Sequence, residues 1–170
     1  MSDPADDAYL ALFLSQEDLP GMLLSNETHD KLGPDEAFTF YGGVRRGKAM
    51  WMGNPASPVG LLIDIRWLFP DEQQALAYHL VMLNINSEGT PVAPNAPPAG
   101  QECVVFGGTR ELEPGNSLTA FLYLFRVGNV VVKLFAAHGQ WAADNSLTPE
   151  AVGHIAARAA SRIEARLHPD

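Results

Sequence analysis

The stretch that most constrains this chain is Thr119 to Gly139, TAFLYLFRVGNVVVKLFAAHG. Gly128 and Asn129 tolerate the positive φ of a two-residue turn, and strong β-formers flank them on both sides. Pairing outward from the turn sets Val127 opposite Val130, Phe125 opposite Val132, Tyr123 opposite Leu134 and Phe121 opposite Ala136. That face is wholly apolar. The other holds Leu122, Leu124, Val131 and Phe135, and only Arg126 and Lys133 break it. A hairpin apolar on both faces belongs in the middle of a sheet, with something packed on each side.

Around this hairpin the other elements fall into order. A strand is expected over Val59 to Phe69, with Leu61, Ile63, Ile65, Trp67 and Phe69 on one face. Leu62, Asp64, Arg66 and Leu68 share its other face. Pro70-Asp71-Glu72 opens a helix over about residues 71–86, its acids placed where the macrodipole favours them. Ser87 to Gly100 contains Pro91, Pro94, Pro97 and Pro98 and reads as a loop. A last helix is expected over 149–167, capped by Thr148 with Pro149 at its first position. Its apolar stripe is Val152, Ile155, Ala156, Ala159, Ile163 and Leu167.

The remaining segments read more plainly. Residues 1–8 are expected to be flexible, Tyr9 to Leu14 to make a helical turn, and Met22 to Thr28 to be a strand. Phe38 to Tyr41 and Val44 to Met52 are strand-like, Cys103 to Phe106 is a short strand, and Gly107 to Ser117 is a polar loop. The fold expected is α+β: one domain over 9–168, a mostly antiparallel β-sheet of five to seven strands, and helices packed against it.

Composition narrows the function. The formal charge of −9 opposes nucleic acid, whose binding needs Lys and Arg on phosphates, and opposes an anionic membrane surface. With 46% hydrophobic and 18% charged residues the chain is ordinary globular material. The single cysteine, Cys103, permits no intrachain disulfide and, in an apolar run, reads as a buried inert thiol. The acidic start is unlike a signal peptide, and no window has the apolar length of a membrane helix. The cytoplasm is the expected place, although an exported chain trimmed of its leader reads the same.

Several pieces, in order, resemble a known fold. Glu17-Asp18-Leu19-Pro20-Gly21 is like the opening motif of its bacterial members. IRWLFPDEQQALAYHL (Ile65 to Leu80) is like their strand and first helix, FRVGNVVVKLF (Phe125 to Phe135) like their hairpin, and Ala151 to Leu167 like their closing Ala-rich helix. The fold is that of the photosystem II extrinsic P subunit, the Ran-binding nuclear import factor, and many actinobacterial lipoproteins and kinase sensor domains. The lipobox cysteine of the lipoproteins is missing here. The resemblance implies non-catalytic binding, with no cofactor and no catalytic residue to carry over.

The residues that could carry chemistry are few. His29, His79, His138, His154 and His168 form no metal-ligand spacing, so no metal site is expected. His79 reads as a packing histidine and His138 as a strand-end histidine. If either worked with a carboxylate as general base, the chain would be a small hydrolase or isomerase. The glycine clusters GGVRRG and GGTRELEPG fail the phosphate-loop patterns.

Two charge patterns remain. Asp64, Arg66, Arg126 and Lys133 all lie on the less apolar strand faces. Should those faces coincide, the four form either an ion-pair set or a polar handle in an oily cleft, rimmed by Arg45, Arg46, Lys48 and Trp51. Along the last helix Glu150, His154, Arg158, Arg162 and Arg166 recur every fourth residue, either as a solvated flank or as a docking row for an acidic partner or a second copy of this chain, which would make a homodimer. The reading from sequence is a binding domain for a protein partner or a hydrophobic small molecule. A chaperone or assembly subunit is the third class.

Overall fold

The computed structural model describes residues 4–30, 33–54, 57–88, 91–93, 95–114, 116–138 and 147–168. In chain order it contains α1 (Pro4–Leu10), β1 (Met22–His29), α2 (Glu36–Phe40), β2 (Arg45–Gly53) and β3 (Leu61–Leu68). There follow α3 (Glu72–Ser87), β4 (Gln101–Glu113), β5 (Asn116–Val127), β6 (Val130–Ala137) and α4 (Pro149–Leu167). The strands make one antiparallel six-stranded sheet in the order β1-β2-β3-β6-β5-β4, with an isolated bridge from Val92 to Phe106 on the outer edge of β4.

The hairpin pairs in the register expected from its sequence: Val127 with Val130, Phe125 with Val132, Tyr123 with Leu134 and Phe121 with Ala136. Gly128 sits at φ 54°, the positive value such a turn requires. The Asn129 side chain donates to the Phe69 carbonyl at 2.6 Å, tying the turn to the end of β3. Strand β6 lies between β3 and β5, so both its edges are paired.

One face carries the larger core. Phe125, Tyr123, Val130, Val132, Leu134 and Ala136 meet the stripe of α4, where Val152, Ala156, Ala159 and Ile163 are fully buried. The segment from Tyr9 to Leu19 completes this layer. Each large side chain taken from water contributes about 1.5–3 kcal/mol. The other face carries a smaller core of Trp67, Phe69, Leu124 and Val131 under Ala75 and Tyr78 of α3 and Phe38 of α2. Both main helices are capped as their sequences imply: Asp71 accepts from the Gln74 amide at 2.8 Å and Thr148 from the Ala151 amide at 3.2 Å.

Three segments differ from expectation. Phe38 to Tyr41 is helical rather than strand-like, because Asp35 caps α2 by accepting from the Phe38 amide at 2.9 Å. The Phe38 ring then turns inward, 5.6 Å from that of Phe69. Gly107 to Ser117 is not a loop; β4 runs through it to Glu113 and pairs back with β5. Its polar residues belong to a solvated strand arm, where the Thr109 and Thr119 hydroxyls meet at 2.8 Å. Gly107 is forced there, since a Cβ would stand 2.1 Å from the Ala120 carbonyl oxygen. Finally, α1 begins at Pro4, inside the stretch expected to be flexible; Asp6 binds Arg45 at 2.6 Å and Tyr9 is buried.

Candidate functional site

The sheet separates the four charged residues that the sequence grouped. Paired residues of an antiparallel ladder share a face. Asp64 stands opposite Leu134 and Arg66 opposite Val132, which places both under the α4 layer. Lys133 stands opposite Ile65 and Leu124, and Arg126 opposite Val131, which places them under the α3 layer. The condition for one shared cleft therefore fails.

On the α4 side the Asp64–Arg66 pair is sealed. Both side chains have 0% exposure, and Arg66 donates from Nε at 2.9 Å and Nη2 at 2.8 Å to the two Asp64 oxygens. Its guanidinium lies 5.1 Å from the Phe13 ring centre, and Nη1 has no hydrogen-bond partner among the described residues. Gly47, across the ladder from Arg66, leaves room for the Tyr9, Phe13 and His29 rings. The pair is sealed in the core and not set in a cleft, which corrects its expected place at a ligand site. Trp51 shares that place, being 3% exposed within the same core.

The rim arginines are also engaged. Arg45 binds Asp6 and Asp30, each at 2.6 Å, and lies over the Tyr9 ring. Arg46 donates to the Gly33 carbonyl and lies over Phe38. On α4, Arg162 donates to Asp18 at 2.8 Å and to the Ala11 carbonyl at 3.0 Å, while Arg158 donates to the Asp18 carbonyl at 2.6 Å. These two hold the 11–18 segment against the helix. Of that arginine row only Arg166 keeps its guanidinium without a hydrogen bond among the described residues; it borders an apolar groove of about 540 Å³ with Leu12, Val44 and Leu167.

Arg126 acts as a clamp. It donates to both Glu102 oxygens at 2.8 and 3.1 Å, to the Gly128 carbonyl at 2.6 Å, and to Glu72 at 3.4 Å. Its hydrogen bonds hold the Glu102 carboxyl below the ordinary range. Beside it His79 is fully buried, its Nε2 donating to the Glu102 carbonyl at 2.9 Å. Burial pushes the His79 pKa down, so the imidazole is neutral. It is sealed from solvent and, among the described residues, no carboxylate is hydrogen-bonded to it, which is a poor setting for a general base. His138, at the end of β6, has Nδ1 3.4 Å from the Pro58 carbonyl; Trp141 lies outside the described residues. Cys103 is half-buried and its thiol is pushed up by burial, as an inert thiol is.

What the α3 side leaves open is a pocket of about 470 Å³. Helix α3 covers Trp67, Leu124 and Val131 and ends near Asn86, short of the rest of that face. Beyond it, Ile63, Phe135, Leu122 and Phe106 form a continuous cross-strand row, each paired with the next from β3 to β4. This row is the apolar floor. The adjacent row carries Lys48, Ile65 and Lys133, each opposite the next. Lys133 is half-buried at the pocket wall, and its Nζ donates to Asn86 Oδ1 at 2.9 Å. Asn86 is itself fixed by donating from Nδ2 to the Met82 carbonyl at 2.6 Å. Among the described residues no carboxylate lies within ion-pair distance of Lys133, and burial lowers its pKa from the ordinary 10.5.

Of the site residues expected from sequence, Lys133 meets this oily pocket. Asn86, Phe106 and Ile63 join it without having been expected there. Their only sequence signal is the fraying of the helix at Asn86 and the apolar face it leaves behind.

This chain is similar in fold to the extracellular domain of PknH from Mycobacterium tuberculosis, with a TM-score of 0.63 over 96% of this chain and 98% of that one. Identity is 12%, so the likeness shows the fold alone. No family model matches the chain, and no curated protein matches it.

Proposed function

We propose that this domain is a non-catalytic binding module that holds a hydrophobic small molecule in the α3-side pocket. One observation carries the reading: an open apolar floor crossed by four strands, with one half-buried amine at its wall and no acid paired to it among the described residues. Ligand pockets are typically of this size, mostly apolar with a few placed polar groups. Burial of the tail supplies affinity and the amine orients the bound molecule. The fold is compatible with sensing, in which a ligand is bound and not transformed, as the resemblance to kinase sensor domains and the photosystem P subunit implies. We propose the cytoplasm as its place; recovery outside the cell membrane on fractionation would move it to the compartment of its fold neighbour.

The test is direct binding of 1-decanol, an uncharged tail, followed by calorimetry and by amide chemical shifts. Saturable binding that moves the Ile63, Leu122 and Phe135 resonances is the expected result. Ala120, which lines the pocket, offers a block: Ala120→Phe fills the floor and abolishes that binding. Absence of binding by wild type up to the solubility limit of decanol, with a clean mass for freshly isolated protein, sinks the reading.

A further inference from the structure

We infer that the pocket takes a single-tailed amphiphile with a carboxylate head, whose oxygens accept hydrogen bonds from the Lys133 ammonium. This rests on the proposed pocket and deepens it by naming the ligand's chemistry.

The donor count comes first. An ammonium has three N–H donors and no acceptor. One goes to Asn86 Oδ1, and the other two have no partner among the described residues. Asn86 cannot turn its amide to donate in their place, because its NH₂ is committed to the Met82 carbonyl. The pocket thus offers an incoming head two donors on one cation, beside a fixed acceptor oxygen. A carboxylate is matched by that. A phosphate brings three strong acceptor oxygens and up to two charges, which one ammonium cannot satisfy in an apolar surround.

Electrostatics point the same way. A charge withdrawn from water without a partner is costly, and an anion placed against it offsets that cost. Lys48, opposite Ile65 on the same face, stands two strand spacings from Lys133, about 10 Å. It too has no ion pair among the described residues. Two cations therefore flank Ile65 in a chain of net charge −9, and the head end of the pocket is locally positive. The tail has its own measure. The floor from Ile63 to Phe106 crosses three strand spacings, about 14 Å, a length for a saturated tail of about ten carbons.

The experiment compares decanoate, 1-decanol and decyl phosphate on wild type, Lys133→Met and Lys48→Met, with each variant's thermal unfolding recorded first. Decanoate is expected to bind wild type tightest. Lys133→Met weakens decanoate by on the order of tenfold to a hundredfold, while leaving decanol within about twofold. Lys48→Met weakens decanoate only about twofold, since that cation does not line the pocket. Across octanoate, nonanoate and decanoate, affinity rises about fourfold per methylene. If Lys133→Met fails to fold, the wild-type protein with isotopically labelled lysine side chains decides the matter: decanoate must move the Lys133 signal more than decanol does. Equal binding of decanol and decanoate to wild type and Lys133→Met overturns the carboxylate while the pocket stands. Tighter binding of decyl phosphate than of decanoate also overturns it. Binding of none of the three overturns the pocket itself.

Discussion

The two faces of the sheet carry charge in opposite ways. Under α4, Asp64 and Arg66 are fully buried, hydrogen-bonded to each other, and out of reach. Under α3, Lys133 is half-buried, bonded to a neutral amide, and open to a pocket. The strands are the same; the layers differ. A 19-residue helix and the 9–19 segment close one face, whereas a 16-residue helix leaves part of the other bare. Burial with a partner makes a charge structural, and burial beside an opening without one makes it available.

The largest expected effect breaks the closed face. Asp64→Leu leaves the Arg66 guanidinium buried and uncompensated, and should cost about 3–5 kcal/mol in urea unfolding. Asp64→Leu with Arg66→Met replaces both charges by apolar side chains, and should recover most of that loss. If the single and double variants lose the same amount, the pair is not a closed unit and the contrast between faces is wrong.

Arg126 shows that the α3 face has a structural end as well. Arg126→Met removes the clamp on Glu102, Glu72 and the turn carbonyl, and should cost about 1–2 kcal/mol, because both acids are partly solvated. The pH sign follows from Glu102, whose folded pKa is held below its ordinary 4.5, chiefly by the Arg126 hydrogen bonds. The stability it contributes is present above pH 4.5 and is lost as pH falls through the lower folded value. Asp18, held below 3.8 against its own burial by Ser15 and Arg162, acts in the same sense. Acid titration of Arg126→Met should therefore show a flatter fall than wild type. An unchanged slope would remove Glu102 from the account.

Lys133→Met sharpens the comparison from the other side. It exchanges a desolvated ammonium for an apolar chain of similar length, so stability should stay within about 1 kcal/mol of wild type. A loss as large as that of Asp64→Leu would make Lys133 structural too, and the two faces alike.

How far this was legible in the sequence depends on the kind of information needed. The hairpin register followed from one turn and two apolar runs, α4 from its cap and stripe, and the start of α3 from Pro70 and the acids after it. The polar arm of β4 was missed because a solvated edge strand and a loop share composition. The grouping of Asp64 with Lys133 failed for a sharper reason. Alternation says which residues of one strand share a face, but not which face of the next strand they join. That parity rests on register: Lys133 pairs with Ile65, and a slip of one residue would have brought it beside Asp64. The pocket was equally hidden, since it exists only where α3 stops short of the sheet it covers.

The smallest effect is the most diagnostic of the open face. Lys31, Lys48 and Lys133 are the lysines of this chain, so isotopically labelled lysine side chains give few signals to assign. Around Lys133, Ile65 on β3, Leu124 on β5 and Asn86 on α3 carry no charge, so nothing opposes the desolvation that lowers its pKa. Its signal should titrate below the ordinary 10.5, and decanoate should move that titration back up. The linkage has a definite sign. Between the lowered folded value and the ordinary 10.5 the unfolded chain binds more protons, so stability should rise slightly with pH there. Lys133→Met should abolish that rise. If Lys133 instead titrates at the ordinary 10.5, its ammonium is hydrated, and the open face holds an ordinary surface lysine.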